Sequence, residues 1–146
     1  ITVPVLSKEK FIELRDMRVA LEGLAAKFAA TQCSEKDLLA LEKLHQDMML
    51  AKNGGDFKNT LRLNRLIHFS VCEMSGREEL FAMIQSLWAR TGPYLNFLYR
   101  NIKTNPDLPH PHEKLLLALK THNPALAEAA IAQDIIEGGA DILSAL

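Results

Sequence analysis

Along most of this chain, apolar residues recur at intervals of three and four, the period of a helix with one buried face. In "SKEKFIELRDMRVALEGLAAKFAA" the stripe runs Phe11, Leu14, Arg18, Leu21, Ala25 and Phe28. Ser7 supplies an N-cap there, while Lys10 stands where a capping box needs Glu or Gln. "SEKDLLALEKLHQDMMLAKNGG" opens on Ser34, carries Asp37 three residues on, and stops at Gly54 and Gly55. A third helix is predicted from about Asp56 to Met74, closed by Ser75 and Gly76. A fourth starts near Arg77 and runs into "SLWARTGPYLNFLYRNI". Gly92 and Pro93 should kink or break it, because proline has no amide to give and its ring crowds the preceding turn. The proline-rich "KTNPDLPHPH" reads as a loop, followed by two last helices, "HEKLLLALK" and "ALAEAAIAQDIIEGGADILSAL".

The pattern therefore predicts an all-α fold, an antiparallel bundle of six or seven helices with one kinked at Gly92–Pro93. Only "ITVPV" alternates with period two, and it is too short to form a sheet alone. Residues 1–6 read as a linker from a preceding domain, and residues 7–146 as the helical domain.

Four of these helices carry a polar residue where packing alone would place an aliphatic one. Arg18 falls within the stripe of Leu14, Leu21 and Ala25, and Asn64 and His68 share a face with Leu61 and Cys72. His112 stacks with Leu115, Leu116 and Leu119, while Asp134 shares a face with Ala127, Ala130 and Ile131. A buried polar group without a partner costs roughly 2 kcal/mol or more, so such residues should meet each other or a ligand. Each also has a plainer reading. His112 can be a hydrogen-bonded core histidine or a wet residue at a helix start, Asp134 a surface acid, and Asn64 a side chain bonded to nearby backbone. Arg18 can pair with Glu22 and stay in water. His45, His110 and His122 fall on polar faces or loops and read as surface.

If the four converge, they offer imidazole nitrogens from His68 and His112, a carboxylate from Asp134 and the amide oxygen of Asn64. Such a nitrogen and oxygen set suits a divalent first-row metal such as Zn²⁺, Ni²⁺ or Mn²⁺ with positions left open. An open position beside Arg18 would take a small organic acid. Trp88, Arg90, Tyr94 and Tyr99 are the candidates to line the same cavity, with ordinary core packing as the alternative for Trp88 and Tyr94. Cys72, one turn beyond His68, is either a softer ligand or a plain buried thiol.

Composition narrows the setting. Apolar residues make up 48% of 146 residues, enough for one domain with a real core. A net charge of −1, with no basic stripe and no glycine-rich phosphate loop, supplies no footprint for nucleic acid. No apolar run nears the roughly 18 residues of a membrane span, and no signal-peptide pattern opens the chain. Two cysteines without disulfide-type spacing fit a reduced, cytoplasmic protein. Surplus apolar residues on the first and fourth helices (Val19, Ala26, Phe81 and Ile84) predict a homodimer.

These residues resemble a known family. "RDMRVALEGLAAKFAA" is similar to the opening helix of the FCD domain, the effector-binding half of FadR-subfamily GntR transcription regulators, through Arg18, Glu22, Ala25, Ala26, Ala29 and Ala30. "NRLIHFSVCEMSGREEL" and "HEKLLLALKTHNPALAEAAI" resemble two further segments of that family, and "LWARTGPYLNFLY" resembles the kinked central helix of one branch. The resemblance runs from about Thr2 to the end. It implies a dimerising bundle that binds a metabolite, often through a metal held at the positions of Asn64, His68, His112 and Asp134. Asn64 stands where Asp is usual, Asp134 where a third His is usual, Ile67 where Phe is usual and Arg77 where Asn is usual. It also implies a winged helix-turn-helix domain ahead of this segment that makes the DNA contact. The expected role is thus ligand sensing and not catalysis. A metal-dependent hydrolase and a purely structural helical module are the alternatives. Glu73 and Glu113, the nearest candidates for a general base, project away from the stripes.

Overall fold

Caps set where this chain turns. In the computed structural model, residues 7–101 and 112–146 are described, with the side chains of residues 98–101 left aside. Ser7 caps α1 (Lys8–Gln32) by accepting from the Lys10 amide at 3.1 Å, without the reciprocal half of a capping box. Ser34 opens α2 (Glu35–Asn53) with the full box, its hydroxyl on the Asp37 amide and the Asp37 carboxylate on its own amide. Asp56 caps α3 (Phe57–Met74), and Asn123 caps α6 (Pro124–Ala145), whose first residue is a proline that needs no amide partner there. Gly55 and Gly76 take positive φ where the chain must reverse.

The remaining helices are α4 (Glu78–Asn101) and α5 (His112–Lys120), which makes six helices among the described residues and no strand. α4 is continuous through Pro93, so the proline removes one backbone hydrogen bond without dividing the helix. The predicted linker at residues 1–6 and most of the proline-rich loop lie outside the described residues. No described helix is long and apolar enough to cross a membrane.

α1 is the hub, touching α3, α4, α5 and α6, with its longest interface on α6. Small residues make this possible. Ala25, Ala26, Ala29 and Ala30 are sealed from solvent, as are Ala127 and Ala130 on α6. A methyl added at Gly139 would come 2.8 Å from the Phe11 ring, so that glycine is what lets the two helices close. The main core joins Ala26, Ala29, Ala30, Ala127 and Ala130 to Leu41, Met48, Ile67, Val71, Leu115, Leu119 and Ile131. Two smaller clusters flank it, one of Phe11, Tyr94 and Ile142, the other of Ala25, Cys72, Ile84 and Trp88.

The inner face of α1 is rotated from the expected stripe. Leu21 and Phe28 are only half-buried, while Glu22, Ala26 and Ala29 are buried with Arg18 and Ala25. The expected apolar surplus also shrinks, because Ala26 and Ile84 are fully buried in this bundle's own core and Val19 and Phe81 are half-buried.

Candidate metal and effector site

The packing of α1, α3, α5 and α6 brings Arg18, Glu22, His68, His112 and Asp134 together, each 8% exposed or less. The cluster is a chain of contacts. Arg18 Nε donates to Glu22 Oε2 at 2.9 Å, and His68 Nδ1 donates to Glu22 Oε1 at 2.6 Å. The other ring nitrogen of His68, Nε2, lies 2.5 Å from Asp134 Oδ2, and His112 Nε2 lies 2.9 Å from the same oxygen. Trp88 closes one side. The Arg18 guanidinium stacks over its indole at 4.2 Å, and the His68 ring meets it edge-on with centroids 5.2 Å apart.

Electrostatics follow from that order. Burial alone would lower the His68 pKa, but Glu22 and Asp134 on its two sides outweigh this and raise it to about 9. Burial opposes ionisation of Asp134 as well. The adjoining His112 and His68 nevertheless hold it well below the usual carboxylate range. Glu22 is likewise held below its ordinary value, against burial, by His68 and Arg18. The apolar bundle thus encloses ionised groups whose signs alternate along the chain, which is what makes their burial tolerable.

Three of these side chains offer atoms for a metal. One ligand atom each from His68, His112 and Asp134 lies within 4.8 Å of the others. Donors about one ion at roughly 2.1 Å stand about 3.0–4.2 Å apart, so small shifts suffice. Asn64, one turn before His68, is half-buried, and its Oδ1 is buried without a hydrogen-bond partner among the described residues. An orphaned amide oxygen one helical turn before His68 is of a type that suits the donor set of a divalent ion.

The other expected residues divide. Trp88 is in the site, 5% exposed, and its Nε1 has no hydrogen-bond partner among the described residues. Tyr94 is in the core, its ring 5.3 Å from that of Phe11. Arg90 corrects the expectation: it is exposed, because two residues beyond Trp88 is about 200° around a helix and faces away. The Tyr99 side chain and His110 lie outside the described residues. Cys72 packs with Trp88 as a buried thiol, its pKa pushed far up by burial and by Glu22.

Two residues lie deeper than the sequence pattern predicts. From the pattern alone Glu22 is expected as a wet partner for Arg18, beside its place in the family motif, although the four-residue spacing is itself the signal that the two go together. His45, expected at the surface, is half-buried with its ring 5.8 Å from that of His112, on the α2 side of the cluster. Burial and the neighbouring His112 lower its pKa, partly offset by Glu113 and Asp134. His122 is exposed as expected, but it adopts a φ of 52° at the end of α5, and its Nδ1 donates to the Ala30 carbonyl at 2.9 Å. Glu73 and Glu113 are exposed, in line with their projection away from the stripes.

The family model of the FCD domain matches residues 13–136. The HTH-type transcriptional regulator McbR of Escherichia coli K12 is 33% identical over 123 residues, covering 82% of this chain and 55% of that protein. The Glc operon transcriptional activator of the same strain is 23% identical over 125 residues, covering 81% and 49%. The chain therefore spans about half the length of the curated relatives it matches. The solved structure of E. coli McbR/YncC overlays with a TM-score of 0.92 at 28% identity, covering 99% of this chain and 73% of that one.

Proposed function

This chain belongs to the FCD domain family, the effector-binding module of GntR-type transcription regulators, and from that premise we propose that it senses a small organic acid through a divalent metal. The carrying observation is the convergence of His68, His112 and Asp134, from three helices, deep in an otherwise apolar bundle. His68, His112 and Asp134 would hold the ion, with Asn64 beside them. One carboxylate against a divalent charge leaves a net positive centre with open positions for an anionic oxygen. Zn²⁺, Ni²⁺ and Mn²⁺ all suit that set.

Arg18 and Trp88 supply the organic side of the site. Glu22 engages only the Nε of Arg18, and the terminal nitrogens of Arg18 meet no acceptor among the described residues. They form a fork suited to a carboxylate, and the Trp88 indole offers both an apolar wall and an N–H donor. The DNA contact belongs to a winged helix-turn-helix segment outside this chain, and the setting is the cytoplasm. Assembly is as a homodimer. Met17 and Met83, 37% and 60% exposed, are apolar surface on α1 and α4 that a second copy would cover.

A metal-free reading has its own support. His68 is already satisfied on both nitrogens by Glu22 and Asp134, so the cluster closes as a hydrogen-bonded lining. Elemental analysis of the purified protein, with calorimetric titration of small carboxylic acids before and after chelation, decides between them. A stoichiometric metal and acid binding lost on chelation support the metal reading. Acid binding indifferent to the chelator replaces it with the lining.

A further inference from the structure

Glu22 has no place in a donor set for metal, yet it is 1% exposed and both of its oxygens are committed. Oε1 accepts from His68 Nδ1 at 2.6 Å, and Oε2 accepts from Arg18 Nε at 2.9 Å. An ionised carboxylate can only accept, so the proton between it and His68 sits on Nδ1. In a neutral imidazole that leaves the lone pair on Nε2, the nitrogen facing Asp134 and the candidate ion position. Building on the metal reading above, we infer that Glu22 is a positioning residue of the site. Its carboxylate fixes the His68 ring and tautomer so that Nε2 is the donor, and Arg18, backed by the Trp88 indole, fixes the carboxylate in turn.

The arrangement has the logic of a carboxylate behind a metal-bound histidine, where the outer hydrogen bond orients the ring and raises its basicity. Here the outer carboxylate comes from α1 and the histidine from α3, 46 residues apart, so one contact ties the first helix to the ion. Glu22→Gln tests it sharply. Glutamine keeps the shape but offers one oxygen to two donors. Arg18 is always charged and holds that oxygen, which turns the amide NH₂ toward His68 Nδ1. His68 then accepts at Nδ1 and carries its proton on Nε2, where the lone pair is needed.

Competition of Zn²⁺ against a chromophoric chelator should show Glu22→Gln weakened by about 10–100-fold relative to the unmodified protein. Melting in excess chelator separately reports the damage to the metal-free fold. A purely structural ion pair would lower that melting point and leave Zn²⁺ affinity unchanged, and affinity within twofold of the parent overturns the inference. The double variant Arg18→Met with Glu22→Gln frees the glutamine oxygen to face His68. It should bind Zn²⁺ more tightly than Glu22→Gln alone, and the opposite order overturns the inference. Imidazole ¹⁵N spectra of the unmodified, Zn²⁺-loaded protein need no variant to fold. They should give His68 a protonated Nδ1 and a metal-bound Nε2, and metal on Nδ1 overturns it. A parent protein that takes up no divalent ion removes the metal reading and this inference together. Tight binding by the parent and by Glu22→Gln alike removes this inference alone.

Discussion

Arg18, Glu22, His68 and Asp134 alternate in sign, so each side chain is stabilised by its neighbours and strands them when removed. The pH dependence of the metal-free protein follows. His68 has its pKa raised from 6.5 to about 9 on folding, so between those values the folded state binds more protons than the unfolded one. Its contribution is fully present below 6.5 and is lost as pH rises through about 9, on the order of 3 kcal/mol in total. Glu22 and Asp134, both lowered, act in the opposite sense: their contributions are present above the ordinary carboxylate values of 4.5 and 3.8 and are lost in more acid solution. Urea unfolding in excess chelator should therefore give a midpoint at pH 9 clearly below that at pH 6. Equal midpoints would remove the doubly bonded His68 from the account. Sequence reading reached Arg18, His68, His112 and Asp134 because each interrupts an apolar stripe. It missed Glu22 because a helical projection cannot choose between neighbouring faces about 100° apart, and the real inner face of α1 centres on Glu22 and Ala26.

Helix limits were legible because they are written in short-range chemistry. Ser7, Ser34, Asp56 and Asn123 each cap the helix expected to follow them, and replacing Ser34 by Ala should cost about 1 kcal/mol in denaturant unfolding. How closely two helices approach is not written that way. In α6 the adjacent glycines differ in surroundings: among the described residues nothing lies within 4 Å of a methyl added at Gly138, whereas one at Gly139 would meet the Phe11 ring at 2.8 Å. Gly138→Ala should then stabilise the protein by about 0.5–1 kcal/mol through helix propensity. Gly139→Ala gains the same propensity but must displace Phe11 and with it the contact to Tyr94. Thermal melts of the two variants should move in opposite directions, and a rise for Gly139→Ala would show that the α1–α6 seam has room to spare.

For the molecule as a whole, periodicity gives each helix a buried face but no partner for it. That His68 meets Glu22 rather than water is decided by which helices pack together, information spread over the chain and absent from any one segment. The same limit touched assembly. Ala26 and Ile84 looked surplus in isolation and are consumed by the bundle's own core. Metal uptake is read at this scale as well. An ion bound only by the folded chain adds stability as RT ln(1 + [M]/Kd), about 2.7 kcal/mol at one hundred times Kd. Melting temperature should rise with added Zn²⁺ and return on chelation, and a His112→Ala variant should lose the response.

The contact between His68 and Asp134 spans 66 residues of sequence, and that between Glu22 and His68 spans 46. Contacts of such long range close later than the local helices, because the intervening chain must first be ordered. Asp134→Asn should therefore leave the refolding rate nearly unchanged and speed unfolding in stopped-flow experiments. By the same reasoning, whatever occupies the cluster engages a finished protein and slows its opening. The polar chain works as a late latch, setting how long the folded bundle persists rather than how quickly it is made.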